Sequence, residues 1–285
     1  LAGLEYGFST WDEMFFARGF YQINPNGRRY RDWKRDGHGW VDLERSIIES
    51  VDTYYYSLAH RMGITPIHNF LTKFGYGQDP ILDLNGASVG LLPSNEWKKA
   101  RYNEPWYPGD SVNVGIGQGF MVATPLQIAR MYATLGSGGI LYPVSILKLK
   151  QAPKGEQVIS TQVAQDVMQM LVGVTEEGGT ARKAHIDGYP VAGKTGTSRK
   201  AVAGGYGDDY VGLFAGVAPV HNPRLAISVV INEPKGDKYY GGDVAGPAFA
   251  KIMSGALQML NVEPISEREA IHLATAQGAQ HNVIK

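Results

Sequence analysis

Apolar residues recur at helical spacing through residues 42–62, at Ile47, Ile48, Val51, Tyr55, Leu58 and Ala59. That spacing predicts a helix, bent or interrupted near Ser50. Thr65-Pro66 then opens a second helix, with threonine as N-cap and proline at its first position, running to about Phe74 and stopping at Gly75. The same signature at Thr124-Pro125 starts a helix through Leu135, closed by Gly136 and Gly138-Gly139. A Met- and Val-rich helix is expected over 161–174, before Gly178-Gly179. Residues 140–149 alternate like a strand, and strand-like runs follow at 189–198, 210–217 and 225–231. Gly204-Gly205, Gly207 and the turn from Pro219 to Pro223 suit hairpins between them. Residues 244–260 form a closing helix, and a polar tail over 263–285 is expected to be mobile. Residues 1–40, rich in aromatics, Gly and Arg, and the Pro-punctuated stretch 76–123 read as loops. Helices first, then a strand meander, then a last helix predict an α+β fold, an antiparallel sheet covered by helices.

Composition narrows the choice. With 27 basic and 27 acidic residues the net charge is zero, so the overall footprint of a nucleic-acid-binding protein is missing. The absence of cysteine rules out disulfides and thiolate metal sites. No apolar run reaches the roughly eighteen residues that a spanning helix needs. The chain begins at Leu1 without a signal peptide and is expected to be a piece of a longer protein, with one domain over 1–262.

Chemistry concentrates in Lys194-Thr195-Gly196-Thr197. On a strand, Thr195 and Thr197 share one face because side chains alternate with period two. Two hydroxyls and an ammonium could then hold one carboxylate, and Gly196 leaves the backbone open to a peptide. Alone, the tripeptide is as well explained by a strand end with a solvated lysine. Lys-Thr-Gly is also the third of three motifs in penicillin-binding proteins and class A β-lactamases. Two segments compete for the second motif. Ser50-Val51-Asp52 could equally be a helix cap, and Ser111-Val112-Asn113 lies beside Gly115-Ile116-Gly117-Gln118-Gly119. The first motif, Ser-x-x-Lys, fits only at Ser145-Ile146-Leu147-Lys148, where a strand would turn the two side chains to opposite faces.

Longer stretches carry a resemblance. Arg31-Asp32-Trp33-Lys34, Gly37-His38-Gly39, the Ser-x-Asp segment, Lys73–Gly77, Trp106-Tyr107 and Gly115–Gly119 with Thr124-Pro125 resemble elongation-type class B penicillin-binding proteins. From Lys194 onward, Phe214–Pro219, Val229–Pro234, Tyr239–Gly242 and Pro247–Phe249 are more similar to the division type. The resemblance implies the transpeptidase fold shared with serine β-lactamases. It also implies acyl transfer at the D-Ala-D-Ala end of peptidoglycan stem peptides, inhibition by β-lactam antibiotics and no cofactor. Ser50, Asp52 and Lys194 would be catalytic, and Thr195, Gly196 and Thr197 would bind substrate. The nucleophilic serine would lie upstream of Leu1. The family is anchored in the inner membrane with this domain in the periplasm, and works beside a membrane glycosyltransferase. A β-lactamase, a D,D-carboxypeptidase or a non-catalytic β-lactam sensor would share the motifs. Asp32 and His38 are too few to make a metal site, which normally takes three or four ligands.

Overall fold

The computed structural model describes residues 1–202 and 205–265. The chain opens with a short helix α1 (Ala2–Glu5) and two small antiparallel ribbons. In the first, β1 (Phe15–Ala17) pairs with β4 (Gly39–Val41), and in the second, β2 (Phe20–Tyr21) pairs with β3 (Tyr30–Arg31). These strands lie where the sequence shows little periodicity. They are too short to display any.

The predicted bend at Ser50 is a true break. Helix α2 (Leu43–Ile48) starts at Asp42, whose side chain accepts from the Arg45 amide at 2.8 Å. Ser50 then adopts φ 55°, and α3 (Asp52–Met62) follows with Val51 as its cap. The next helix, α4 (Ile64–Lys73), begins two residues earlier than expected, from Gly63 at φ 68°. Thr65 is therefore inside the helix rather than its cap. Pro66 still falls in the first turn, where a missing amide costs nothing.

The stretch 76–123 holds two helices that its prolines and glycines hide. Helix α5 (Asn95–Tyr102) is capped by Ser94 and closed by Asn103 at φ 58°. Helix α6 (Pro108–Val114) is tied to α5 by the buried Lys98, which pairs with Asp110 and lies 4.4 Å from the Tyr107 ring centre. Helix α7 (Pro125–Gly136) has the predicted Thr124 cap, reciprocated by Gln127. The strand predicted over 140–149 is corrected: β5 (Ile140–Leu141) pairs with β6 (Glu156–Gln157), and beyond it Val144 makes one isolated parallel bridge with Ile81. Beyond it, the Asp83 carboxylate accepts from the Ser145 hydroxyl and from the Ile146 and Leu147 amides, which turns the chain.

Helix α8 (Thr161–Val172) leads to the main sheet, β7 (Ala192–Val202), β8 (Gly205–Ala218) and β9 (Leu225–Asn232), antiparallel in the order β7-β8-β9. Short α9 (Gly241–Val244) and long α10 (Gly246–Met259) close the fold. Phe214 of β8 and Phe249 of α10 meet edge to face at 4.6 Å, fully buried with Met253 and Leu257. Side chains of that size each contribute about 1.5–3 kcal/mol when removed from water. A second apolar cluster packs Tyr54, Leu58, Met62 and Ile67 around α3 and α4. The α+β arrangement read from the sequence is the one observed. Of the expected tail, Ile265 donates its amide to the Gly188 carbonyl at 3.0 Å; residues 266–285 lie outside the described part. Among the described residues no helix is long and apolar enough to cross a membrane.

Candidate active site

Strand β7 forms one wall of the site. Its only described neighbour in the sheet is β8, with Lys194 opposite Ala215 and Gly196 opposite Leu213. Two glycines allow this pairing and what packs on it. A Cβ on Gly193 would come within 2.5 Å of the Phe214 ring and 2.8 Å of the Ala215 carbonyl. A Cβ on Gly241 would collide with the carbonyls of Gly196 and Leu213, so only glycine lets α9 sit this close to the Lys-Thr-Gly segment.

Thr195 and Thr197 share a face, as the alternation requires, but their hydroxyls are held separately. Lys194 Nζ donates to Thr195 Oγ1 at 3.1 Å, and Thr180 Oγ1 stands 3.3 Å from the same oxygen. Thr197 Oγ1 accepts from the Gly241 amide at 2.9 Å. A hydroxyl that accepts this way keeps its own proton to donate. In the sequence Thr180, in a turn, and Gly241, the first residue of α9, stand only within stretches of family resemblance, and nothing there shows that they hold the threonines.

The opposite wall is the junction of α2 and α3. The cap reading of Ser50 fails: Val51 holds that position and no side chain caps the helix. Asp52 takes the first helical position instead. Burial, reinforced by the nearby Asp32 charge, raises its pKa to about 7, although Lys194 and the Trp33 amide favour the ionised form. Lys194 is lowered to about 8 by burial, opposed by Asp52. Each group feels the other's charge, so Asp52 and Lys194 are neighbours in space although they lie far apart in the chain.

The rival Ser111-Val112-Asn113 has a different job. Ser111 is buried inside α6, and its Oγ accepts from the Trp106 indole at 2.8 Å. The adjoining glycine run buttresses α3: a Cβ on Gly115 would strike Ala59 and the Tyr55 carbonyl. Ser145 is equally committed, donating to Asp83 and to the Leu147 carbonyl, each at 2.6 Å. The reason for setting it aside changes, since no strand runs there, and the turn itself occupies the hydroxyl.

His38 and Asp32 do meet, with Glu49 as a third partner. His38 Nε2 lies 3.1 Å from Asp32 and its Nδ1 2.7 Å from Glu49, so both ring nitrogens are taken by carboxylates. Burial pushes the Glu49 carboxyl up, but hydrogen bonds from Arg45 and His38 hold it below its ordinary value. Among the described residues no group of three or more His, Asp or Glu side chains has the geometry of a metal site.

A family model described as penicillin binding protein transpeptidase domain matches residues 1–254. The chain is 36% identical over 258 residues to a probable peptidoglycan D,D-transpeptidase PenA of Neisseria meningitidis, covering 90% of this chain and 42% of that protein. It is 38% identical over 245 residues to the peptidoglycan D,D-transpeptidase FtsI of Escherichia coli, covering 86% of this chain and 40% of the relative. The chain thus spans less than half the length of these curated relatives. A crystal structure of Pseudomonas aeruginosa PBP2 in complex with WCK 5153 superposes with a TM-score of 0.80 at 34% identity, covering 93% of this chain and 59% of that one. The facing motifs, the fold and these matches agree: the chain belongs to the penicillin-binding protein transpeptidase family.

Proposed function

We propose that this chain supplies the substrate-holding walls of a class B peptidoglycan D,D-transpeptidase. The observation that carries the reading is that Lys194 of the edge strand β7 and Asp52 at the start of α3, both buried, feel each other's charge. Lys194 and the hydroxyls of Thr195 and Thr197 bind the terminal carboxylate of a D-Ala-D-Ala stem peptide or of a β-lactam. Charge-assisted hydrogen bonds of this kind are about twice as strong as neutral ones. Gly196 admits the peptide backbone. Ser50 relays protons together with Lys194, and Asp52 bonds the substrate amide and positions the lysine. A serine upstream of Leu1 attacks the penultimate carbonyl. An ester forms, D-Ala departs with a proton, and an amine of a neighbouring stem takes over the acyl group and frees the serine. No cofactor enters. The whole protein would act at the periplasmic face of the inner membrane, beside a polymerising glycosyltransferase.

The test uses the full-length protein. A fluorescent penicillin should label it stoichiometrically and release slowly, and the protein should transfer a stem-peptide acyl group to an amine with release of D-Ala. Replacing Lys194 with Ala should lower the acylation rate at least about a hundredfold. Rapid hydrolysis of the penicillin would instead indicate a β-lactamase. Hydrolysis of the stem peptide without transfer would indicate a carboxypeptidase.

A further inference from the structure

Ser50 is a non-glycine residue at φ 55°. That conformation disfavours an L-residue and persists only where its surroundings enforce it. Two local bonds close α2 around it, from the Val51 amide to the Ser46 carbonyl at 2.9 Å and from the Ser50 amide to the Ile47 carbonyl at 3.3 Å, and one dipeptide, Asp32-Trp33, adds a restraint from outside. The Trp33 indole Nε1 donates to two consecutive carbonyls, Glu49 O at 3.0 Å and Ser50 O at 3.1 Å. Asp32 Oδ2 accepts from the Thr53 amide at 2.9 Å and from the Thr53 hydroxyl at 3.0 Å. The backbone groups on both sides of Ser50 are thus gripped from outside the two helices it joins. The grip is itself braced. His38 holds the other oxygen of Asp32 and bridges to Glu49, and its ring meets the Trp33 ring edge-on at 5.5 Å.

The local bonds engage the Ser50 and Val51 amides and leave the carbonyls to the Trp33 indole. Val51 caps α3 without a side-chain bond, and the Glu49 and Ser50 carbonyls lie at the end of α2, where helical partners run out. The indole nitrogen meets that need, although the Trp33 side of the contact is not deeply buried: the residue is 51% exposed. A tryptophan kept that open has little packing reason to be there. Its one polar atom is spent on the backbone of the second motif.

We propose that Asp32 and Trp33 are positioning residues for the reaction, clasping the Ser50 junction so that Ser50 and Asp52 stand in register with Lys194. This rests on reading Ser50-Val51-Asp52 as the second motif. Trp33 acts through that junction and not by touching the substrate, which separates the clasp from an aromatic contact surface.

The experiment measures acylation of the full-length protein by a fluorescent penicillin in stopped flow, separating the encounter constant from the acylation rate constant. Trp33→Phe keeps a six-membered aromatic ring and removes the N–H together with the rest of the indole's five-membered ring. It should lower the acylation rate constant about tenfold and leave both the encounter constant and the melting temperature near wild type. Ser50→Ala should slow acylation on its own, and adding Trp33→Phe to it should cost less than it does in wild type, since only Asp52 is then left to position. Wild-type kinetics in Trp33→Phe overturn the clasp. An equal loss with and without Ser50, or a loss confined to the encounter constant, also overturns it and makes Trp33 a substrate contact. If Ser50→Ala alone acylates like wild type, the second-motif reading falls and takes the clasp with it.

Discussion

The Gly241 amide donates to Thr197 Oγ1 at 2.9 Å and so fixes one lone pair of the hydroxyl that we propose holds a substrate carboxylate. Thr197→Val removes both functions at once. The buried amide loses its partner, which costs about 1–2 kcal/mol in chemical denaturation, and penicillin acylation of the full-length protein slows about tenfold or more. Thr197→Ser should restore both. A valine variant as stable and as fast as wild type would show that this bond matters to neither.

Gly193 and Gly196 should respond differently to alanine. At Gly193 the new methyl meets the Phe214 ring and the Ala215 backbone, which cannot step aside, so overpacking costs about 1–3 kcal/mol. At Gly196 the nearest atom is the flexible end of Leu213, 3.2 Å away, and stability should change by less than about 1 kcal/mol. Acylation should nonetheless fall in Gly196→Ala, because the methyl stands where a peptide must approach. Equal stability losses in the two variants would contradict this reading.

Asp52 predicts a pH-dependent stability difference. Its folded pKa, about 7, exceeds the ordinary 3.8. The stabilisation attached to its proton is therefore complete below about pH 3.8 and fades as pH rises toward 7. Asp52→Asn stays neutral throughout. Its stability relative to wild type should climb between pH 4 and 6, by at most about 1.4 kcal/mol per pH unit. Lys194, titrating at about 8, remains protonated in the native wild type over that interval. Urea titrations at pH 4, 5 and 6 measure the difference, and a flat line would remove the case for a destabilised carboxylate.

The 285-residue chain by itself should form no covalent adduct with labelled penicillin, whereas the full-length protein should. The only Ser-x-x-Lys in the sequence is Ser145–Lys148, and the Asp83 turn holds its hydroxyl. Intact-mass spectrometry after incubation gives the answer, and a stoichiometric adduct would mean that another side chain is the nucleophile.

The sequence exposes what local physics decides. The break at Ser50, the Thr124 cap and the strands around Lys194 and Phe214 all follow from spacing, capping or alternation within a few residues. Short helices disappear among punctuation. Pro93, Pro105 and Pro108 announce loops, yet Ser94 and Asn103 bracket a helix between them. Alternation over 140–149 misleads because Asp83, some sixty residues earlier in the chain, folds that segment into a turn. The motif residues were legible as letters. What holds them was not: Trp33 on Ser50, Gly241 on Thr197 and Thr180 on Thr195 are contacts between segments that nothing in local composition brings together.

The open flank of β7 has a cost besides its use. A strand edge that, as proposed, receives a peptide presents the same row of amides and carbonyls to any extended chain, including a second copy of itself. The register shift between Arg199 and Ala201 interrupts the regular ladder just beyond the Lys-Thr-Gly-Thr run. The extra residues are on β8, where positions 207–209 stand opposite Lys200 alone, so the distortion falls on the partner strand and not on the Lys-Thr-Gly-Thr run. An extended chain added to β7 would therefore find a regular ladder beneath it only as far as Arg199, which limits the length of edge on which aggregation could grow.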